Sequence, residues 1–248
     1  ENEVLNQPFS AAVEACLPPA DYTISEAEIV RRLDLRGGGG DGALVCSIDP
    51  PDCKDIDDAV HARVIAPGRY EVGAHVADVT HFVEHDSALD VEAAKRGETF
   101  YMVNQRIDMV PKLLSENLCS LRADVDRLTF SVLWEMDEEA NVLSTRFVKS
   151  VIRSRGALSY AEAQRRIDDE AAHMDPLSAS LRLLDKLTRK LRQRRMAGGA
   201  LTLDSGEFSF QLDSAMPITV SREERLRTQN LIEELMVLAN VSVARRLV

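Results

Sequence analysis

The sequence is poor in the features that would announce a membrane, a secretory route or a common cofactor. No apolar run approaches the roughly 20 residues that cross a bilayer as a helix, and the first residues lack the basic start, apolar stretch and small-residue cleavage site of a secretory signal. Its cysteines, Cys16, Cys46, Cys53 and Cys119, are scattered, with no pair at the close spacing of zinc sites. A chain of 248 residues buries enough core to do without disulfide staples, so reduced thiols in an intracellular protein are expected. Gly37 to Gly40 lack the Lys and Ser/Thr of a phosphate loop, and no serine or cysteine stands in a persuasive nucleophile setting. Positive charge is also in deficit. The net charge of -11 argues on its face against a nucleic-acid ligand. The basic run "RLLDKLTRKLRQRR" (residues 182–195) is the exception, open to two readings: a solvated helix face or a phosphate track.

What is present is an ordinary globular pattern, with 45% apolar and 29% charged residues. "TISEAEIVRRL" offers Thr23 as a helix N-cap with Glu26 three residues on. The glycine run at 37–42 reads as a flexible connection, so residues 1–42 are expected to form a helical arm and linker and residues 43–248 the main domain. Strand patterns follow at "ALVCSI", at "AVHARVI" and "YEVGAHVADV" around the turn "APGRY", and at "RLTFSVLWEM" and "VLSTRFVKSVI" around "DEEAN". Leu128, Phe130, Val132, Trp134 and Met136 share one face of theirs. Helices are expected at 87–96, 160–169 and 178–196, and a last one from a capping box at Ser221 and Glu224 to the chain end. Hairpins mixed with helices predict an α+β or mixed α/β fold, a largely antiparallel mixed sheet flanked by helices.

The stretch "SIDPPDCKDIDDAV" (residues 47–60) holds five aspartates within ten residues. Pro50 and Pro51 cannot continue a sheet ladder, so a strand should end with Asp49 at its tip. On a regular strand Asp55 and Asp57 would face away from Asp58. Convergence of Asp49, Asp55, Asp57 and Asp58 therefore requires "DIDD" to be a loop or bulge. A solvated acidic turn is the plain alternative, but Ile48, Ile56, Ala59 and Val60 interleave the acids as apolar anchors. Converging carboxylates raise one another's pKa unless a cation keeps them ionised. Oxygen ligands alone favour a hard ion, Mg²⁺ or Mn²⁺ over zinc. The glycine and glutamate of a calcium-binding loop are missing. Such an ion among carboxylates is apparatus for phosphoryl chemistry, so a phosphodiesterase or phosphatase leads. His75 and His81 are read as hydrogen-bonded structural residues and not as ligands.

"SIDPPDCKDIDDAV" resembles the first signature of the catalytic domain of the ribonuclease II and ribonuclease R (RNB-domain) family, an Asp followed at six, eight and nine positions by three more. The likeness continues through "VGAHVADVTHFV", "RGETFYMVNQRIDMVPKLLSENLCSL", "SYAEAQRRID", "GALTLDSGEFSFQLD" and "LIEELMVLANVSVARR", nearly the whole chain, and is strongest to the branch that serves as catalytic subunit of the eukaryotic RNA exosome. The resemblance implies a processive, Mg²⁺-dependent (or Mn²⁺-dependent) hydrolase that shortens single-stranded RNA from its 3′ end to nucleoside 5′-monophosphates. Exosome core subunits would be its partners, no membrane would be involved, and it would work in the nucleus and cytoplasm. It implies Asp49, Asp57 and Asp58 as metal holders with Asp55 beside them, Tyr101 as the stacking aromatic for the terminal base, and Tyr160 near the substrate path. One of Glu233 and Glu234 would accept a ribose 2′-hydroxyl. In that family the domain continues to an arginine-rich block and is flanked by RNA-binding modules, so a partial catalytic domain is expected here. Two other readings stand beside it: a phosphohydrolase with Asp55 and Asp57 as a "DxD" pair, and a noncatalytic RNA-binding relative.

Overall fold

The computed structural model describes residues 6–37, 42–102, 105–201, 208–213, 216–222 and 225–248, the two strands among residues 208–222 by their backbone alone. In chain order the elements are α1 (Ala11–Glu14), α2 (Glu26–Val30), β1 (Leu33–Leu35), β2 (Ser47–Asp49), β3 (Asp58–Ala66), β4 (Arg69–Ala77), α3 (Ala88–Arg96), β5 (Phe100–Tyr101), β6 (Arg106–Ile107), β7 (Asp126–Asp137), β8 (Val142–Arg153), β9 (Ala157–Ser159), α4 (Tyr160–Asp168), α5 (Pro176–Ala197), β10 (Phe208–Asp213), β11 (Met216–Arg222) and α6 (Arg227–Leu247). The fold is mixed α+β, as expected. The elements gather into two compact units, one from Thr23–Asp78, Cys119–Leu201 and Leu226–Val248, the other from the described parts of residues 1–22, 79–118 and 202–225.

The larger unit is built on a five-stranded sheet in the order β1-β8-β7-β4-β3, antiparallel except where β1 joins β8 in parallel. β1 falls within the segment read as an arm, and residues 38–41 of the glycine run lie outside the described residues. Alternation along the strands directs Val60, Ala62, Val72, Ala74, Val132, Trp134 and Met136 to one face, where they form a single core cluster with Leu181, Leu184 and Leu187 of α5 and Leu231, Ile232 and Leu235 of α6. Trp134, wholly buried, donates its indole N–H to Ser242 of α6 at 3.0 Å. The turn between β3 and β4 places Gly68 at φ 70°, which a glycine adopts without strain.

Two helix starts differ from expectation. α2 is capped by Ser25, which accepts from the Glu28 amide, and not by Thr23: "TISEAE" contains two overlapping capping patterns, and the second is the one used. α6 begins at Arg227, past the expected Ser221. Its first turn is closed by the Gln229 side chain accepting from the Leu226 amide, while Glu224 lies outside the described residues. α4 and α5 start on Ser159 and Asp175, each accepting from an amide three residues on.

The smaller unit contains α1, α3, the short β5–β6 pair, a π-helical turn at Leu113–Leu118 and the β10–β11 hairpin. Arg96 organises part of it: its guanidinium bonds Glu92, the Asp108 carbonyl and the Gln7 carbonyl, and lies 4.0 Å from the centre of the Phe9 ring.

Candidate active site

β2 stops at Asp49 because Pro50 and Pro51 supply no ladder donors, and the chain turns back through Asp52 at φ 62°. The loop is then anchored from the inside. Ile56 is buried, its amide donates to the Ser120 hydroxyl at 3.3 Å, and its carbonyl accepts from Leu121 at 2.9 Å. The same Ser120 hydroxyl donates to the Lys54 carbonyl at 2.7 Å, and the Asp57 carbonyl accepts from Ala77 at 2.9 Å. With Ile56 drawn inward, its neighbours Asp55 and Asp57 are turned outward, and Asp58 opens β3. "DIDD" is thus a loop running into a strand start, the geometry that convergence requires. Ser120 and Leu121 belong to the "SENLCSL" block, yet nothing in that block's composition marks its serine as the loop's anchor.

Four carboxylates share this neighbourhood and feel one another. Burial raises the Asp49 carboxyl to about 6, helped by the charges of Asp57 and Asp55. Burial raises Asp58 to about 7, helped by Asp49 and Asp57. Asp57, the most open, is raised by partial desolvation and by Asp55. One oxygen of Asp49, Oδ2, is buried without any hydrogen-bond partner. A buried carboxylate oxygen left unpaired is costly. An all-oxygen donor set with an orphaned acceptor fits a hard divalent cation.

No three of the loop carboxylates cluster as tightly as the ligands of a single ion. Among the described residues, the ligand atoms that all come within 4.8 Å of one another belong to His85, Asp86 and Asp90, a largely exposed turn in which Asp90 accepts from the Asp86 amide.

The other residues singled out from the sequence fall in different places. Tyr160 begins α4 directly after Ser159, the parallel partner of Asp49 in the β2–β9 pair, so the strand register brings it to the carboxylate end of the unit. Its carbonyl accepts from Thr228, which ties in the start of α6. Tyr101 lies in the smaller unit, on β5, with 69% of its surface exposed. Glu234 is buried, at 3% exposure, and is bonded by Arg192 at 3.1 Å and by Arg195 at 2.6 Å, while Glu233 accepts from Arg195 at 2.8 Å. Both glutamates therefore clamp α6 to α5.

The same clamp draws much of the basic run into the fold, while Arg189 stays largely exposed beside Asp185. Arg182 caps the Arg166 and His173 carbonyls, Lys190 reaches Glu138 and Glu139, Arg194 bonds the Ala140 carbonyl and Asn141, and Lys186 lies 5.9 Å from the Tyr70 ring centre. These cations are spent inside the fold. His75 is buried and bonded to His61 and Ser131, and His81 is bonded to the Tyr22 hydroxyl, so both are structural as expected. The four cysteines are free thiols.

Known proteins share this family and this fold. The family model described as "RNB domain" matches residues 32–248. The chain is 50% identical over 249 residues to "Exosome complex exonuclease RRP44" of Mus musculus, covering all of this chain and 25% of the relative. It is 49% identical over 257 residues to "Exosome complex exonuclease dis3" of Schizosaccharomyces pombe, covering all of this chain and 26% of the relative. The chain spans about a quarter of the length of these curated relatives. Among solved structures, Mycoplasma genitalium RNase R in complex with ribose methylated single-stranded RNA superposes with a TM-score of 0.86 at 22% identity, over 98% of this chain and 37% of that one. Yeast Ssd1, described as a pseudonuclease, superposes with a TM-score of 0.69 at 22% identity, over 92% of this chain and 27% of that one.

Proposed function

The chain belongs to the RNB-domain family, and from that premise we propose that it is the carboxylate-bearing part of a 3′-to-5′ exoribonuclease that hydrolyses single-stranded RNA processively to nucleoside 5′-monophosphates. The observation that carries this reading is the anchored loop of Asp49, Asp55, Asp57 and Asp58, with its orphaned Asp49 oxygen and raised carboxyls. The relatives named as exosome exonucleases support assembly of the whole protein with exosome core subunits, and residence in nucleus and cytoplasm belongs to the same reading.

Asp49, Asp57 and Asp58 are the residues that would hold Mg²⁺, with Mn²⁺ as a substitute. Such an ion supplies charge neutralisation for the in-line displacement and makes the attacking water more acidic. The protein's own part is positional. Ile56 and Ser120 fix the backbone of the loop that carries the acids, so that what remains to adjust when ion and phosphodiester arrive is side-chain rotation, and held charge of this kind contributes to rate. Burial and the charges of Asp49 and Asp57 raise the Asp58 carboxyl, and a bound cation would offset that repulsion and hold it ionised. Tyr101 offers a stacking surface to a base and Tyr160 borders the carboxylate end.

The presence of all four aspartates favours this reading over a noncatalytic RNA binder, a role that the fold alone also permits. A "DxD" phosphohydrolase wants apolar strand residues before its first Asp, and here Asp55 follows a loop. The test is Asp58→Asn in the intact parent protein, assayed on single-stranded RNA with Mg²⁺. Cleavage should fall at least about 10²-fold, roughly 2.7 kcal/mol of transition-state stabilisation, while RNA affinity without turnover changes little. Cleavage at the original rate would remove Asp58 from the reaction centre. Loss of folding would make the aspartate structural.

A further inference from the structure

β7 is the middle strand of the five-stranded sheet and β4 its neighbour, yet each leaves one apolar residue uncovered. Along Asp126–Asp137 the only exposed residue is Phe130, at 38%. Along Arg69–Ala77, apart from the terminal Arg69, it is Val76, at 39%. The strand register makes these two direct partners and continues the row on both sides: Asp58 of β3 opposes Val76, Val76 opposes Phe130, and Phe130 opposes Lys149 of β8. Directly paired residues project to the same face, so acid, two apolar groups and cation stand in one line. The next row along the same face, Val60, Ala74, Val132 and Phe147, is packed into the core. The helices stop covering the sheet at the row that contains Asp58.

An exposed aromatic in the centre of a sheet forgoes burial worth a sizeable part of its transfer free energy. Its position gives that exposure a use. Adjacent strands lie roughly 4.8 Å apart, so Phe130 stands about 10 Å across the sheet from the Asp58 backbone, a separation of a nucleotide or two. Beyond it Lys149 is half exposed, with its ammonium steadied 3.2 Å from Asp78. A flat apolar ring between a carboxylate site and a cation matches a single strand with one base on the ring and its phosphates toward either end.

We propose that Phe130, backed by Val76, is a stacking platform for a base of the RNA strand whose backbone is presented to the aspartates. This rests on the exoribonuclease reading and adds a binding residue to it. A base–aromatic stack is sequence-tolerant, so the platform would hold RNA without selecting its sequence.

The test is set against the fluorescence background of the unmodified protein, in which this chain's single tryptophan, Trp134, is wholly buried. In Phe130→Trp, titration with a single-stranded oligoribonucleotide, without divalent cation so that it is bound and not cut, should quench the new emission as anisotropy reports binding. Phe130→Ala should bind about 5- to 100-fold more weakly, while Phe130→Trp keeps its affinity. Oligonucleotides with one abasic position should lose affinity for the unmodified protein at one position and lose nothing further for Phe130→Ala. RNA that binds without quenching, and with equal affinity for Phe130→Ala, would overturn the platform and leave the carboxylate reading standing. These measurements are made in the intact parent protein, and no RNA binding by it would overturn both.

Discussion

Two groups of polar side chains meet the five-stranded sheet, one buried on its face and one gathered where β3 begins, and they are treated in opposite ways. On the face away from the helices, Glu71, His61, His75, Ser131, Ser150 and Thr129 form a buried row in which each group meets the next. His61 Nε2 is 3.4 Å from Glu71, His61 Nδ1 is 2.8 Å from His75 Nε2, His75 Nδ1 is 2.6 Å from Ser131, and Ser131 and Thr129 lie 2.5 and 2.7 Å from Ser150. Where β3 begins, Asp49, Asp57 and Asp58 are each held near further negative charge, and one Asp49 oxygen is orphaned. A fully partnered buried network rigidifies a fold. A buried set of like charges weakens it, and persists where something outside the chain completes it. Burial alone does not distinguish structure from site; the presence of partners does.

The sharpest way to break the comparison is to disturb the partnered row. A Cβ on Gly73 would stand 2.3 Å from His61 Cε1 and 2.5 Å from its Nδ1, with strand backbone on either side. Gly73→Ala should therefore cost about 3 kcal/mol, read as a lower urea midpoint. Ser131→Ala nearly keeps the volume but takes from His75 Nδ1 its hydroxyl partner, while Ser150 keeps Thr129, and should cost about 1 to 3 kcal/mol by the same measurement. An unchanged midpoint in either would mean that the row carries no stability.

The aspartates should respond with the opposite sign. Asp58→Asn removes a charge the fold holds at a disadvantage, so at pH 8 without metal it should stabilise the chain by about 1 kcal/mol while abolishing stabilisation by added Mg²⁺. The pH profile carries the same contrast. The Asp49 and Asp58 carboxyls are raised from 3.8 to about 6 and about 7, so their contribution is fullest below about pH 4 and is lost as the pH rises through those values. Burial lowers His61 and His75 from 6.5, so their contribution is full above that pH and is lost as the pH falls through the depressed folded values. Thermal melts across pH 5 to 8 should show Mg²⁺ restoring the alkaline loss and leaving the acid loss untouched. Equal protection at both ends would contradict the assignment of the cation to the aspartates.

Much of this was legible from short-range pattern. The period-two alternation of β3, β4, β7 and β8, the leucine stripe of α5, and the two prolines that end β2 at Asp49 act over neighbouring residues, so the elements and the acids' proximity could be read before any contact was known. Glu233 and Glu234 were legible as acids beside an apolar stripe, but not as a clamp on Arg192 and Arg195, since the spacing that matters runs between two helices. The basic run stayed open between a solvated face and a phosphate track for the same reason: the Ala140 carbonyl that receives Arg194 is 54 residues away. Local capping rules pointed to Thr23 where Ser25 caps, because both satisfy the pattern and only the helix path selects one. The sequence alone determined which chemistry the protein holds, through residue types at fixed offsets along one strand and loop. Tertiary structure decided which polar groups find partners, and hence which of them remain for a ligand, because partnership depends on register and packing between segments distant in the chain.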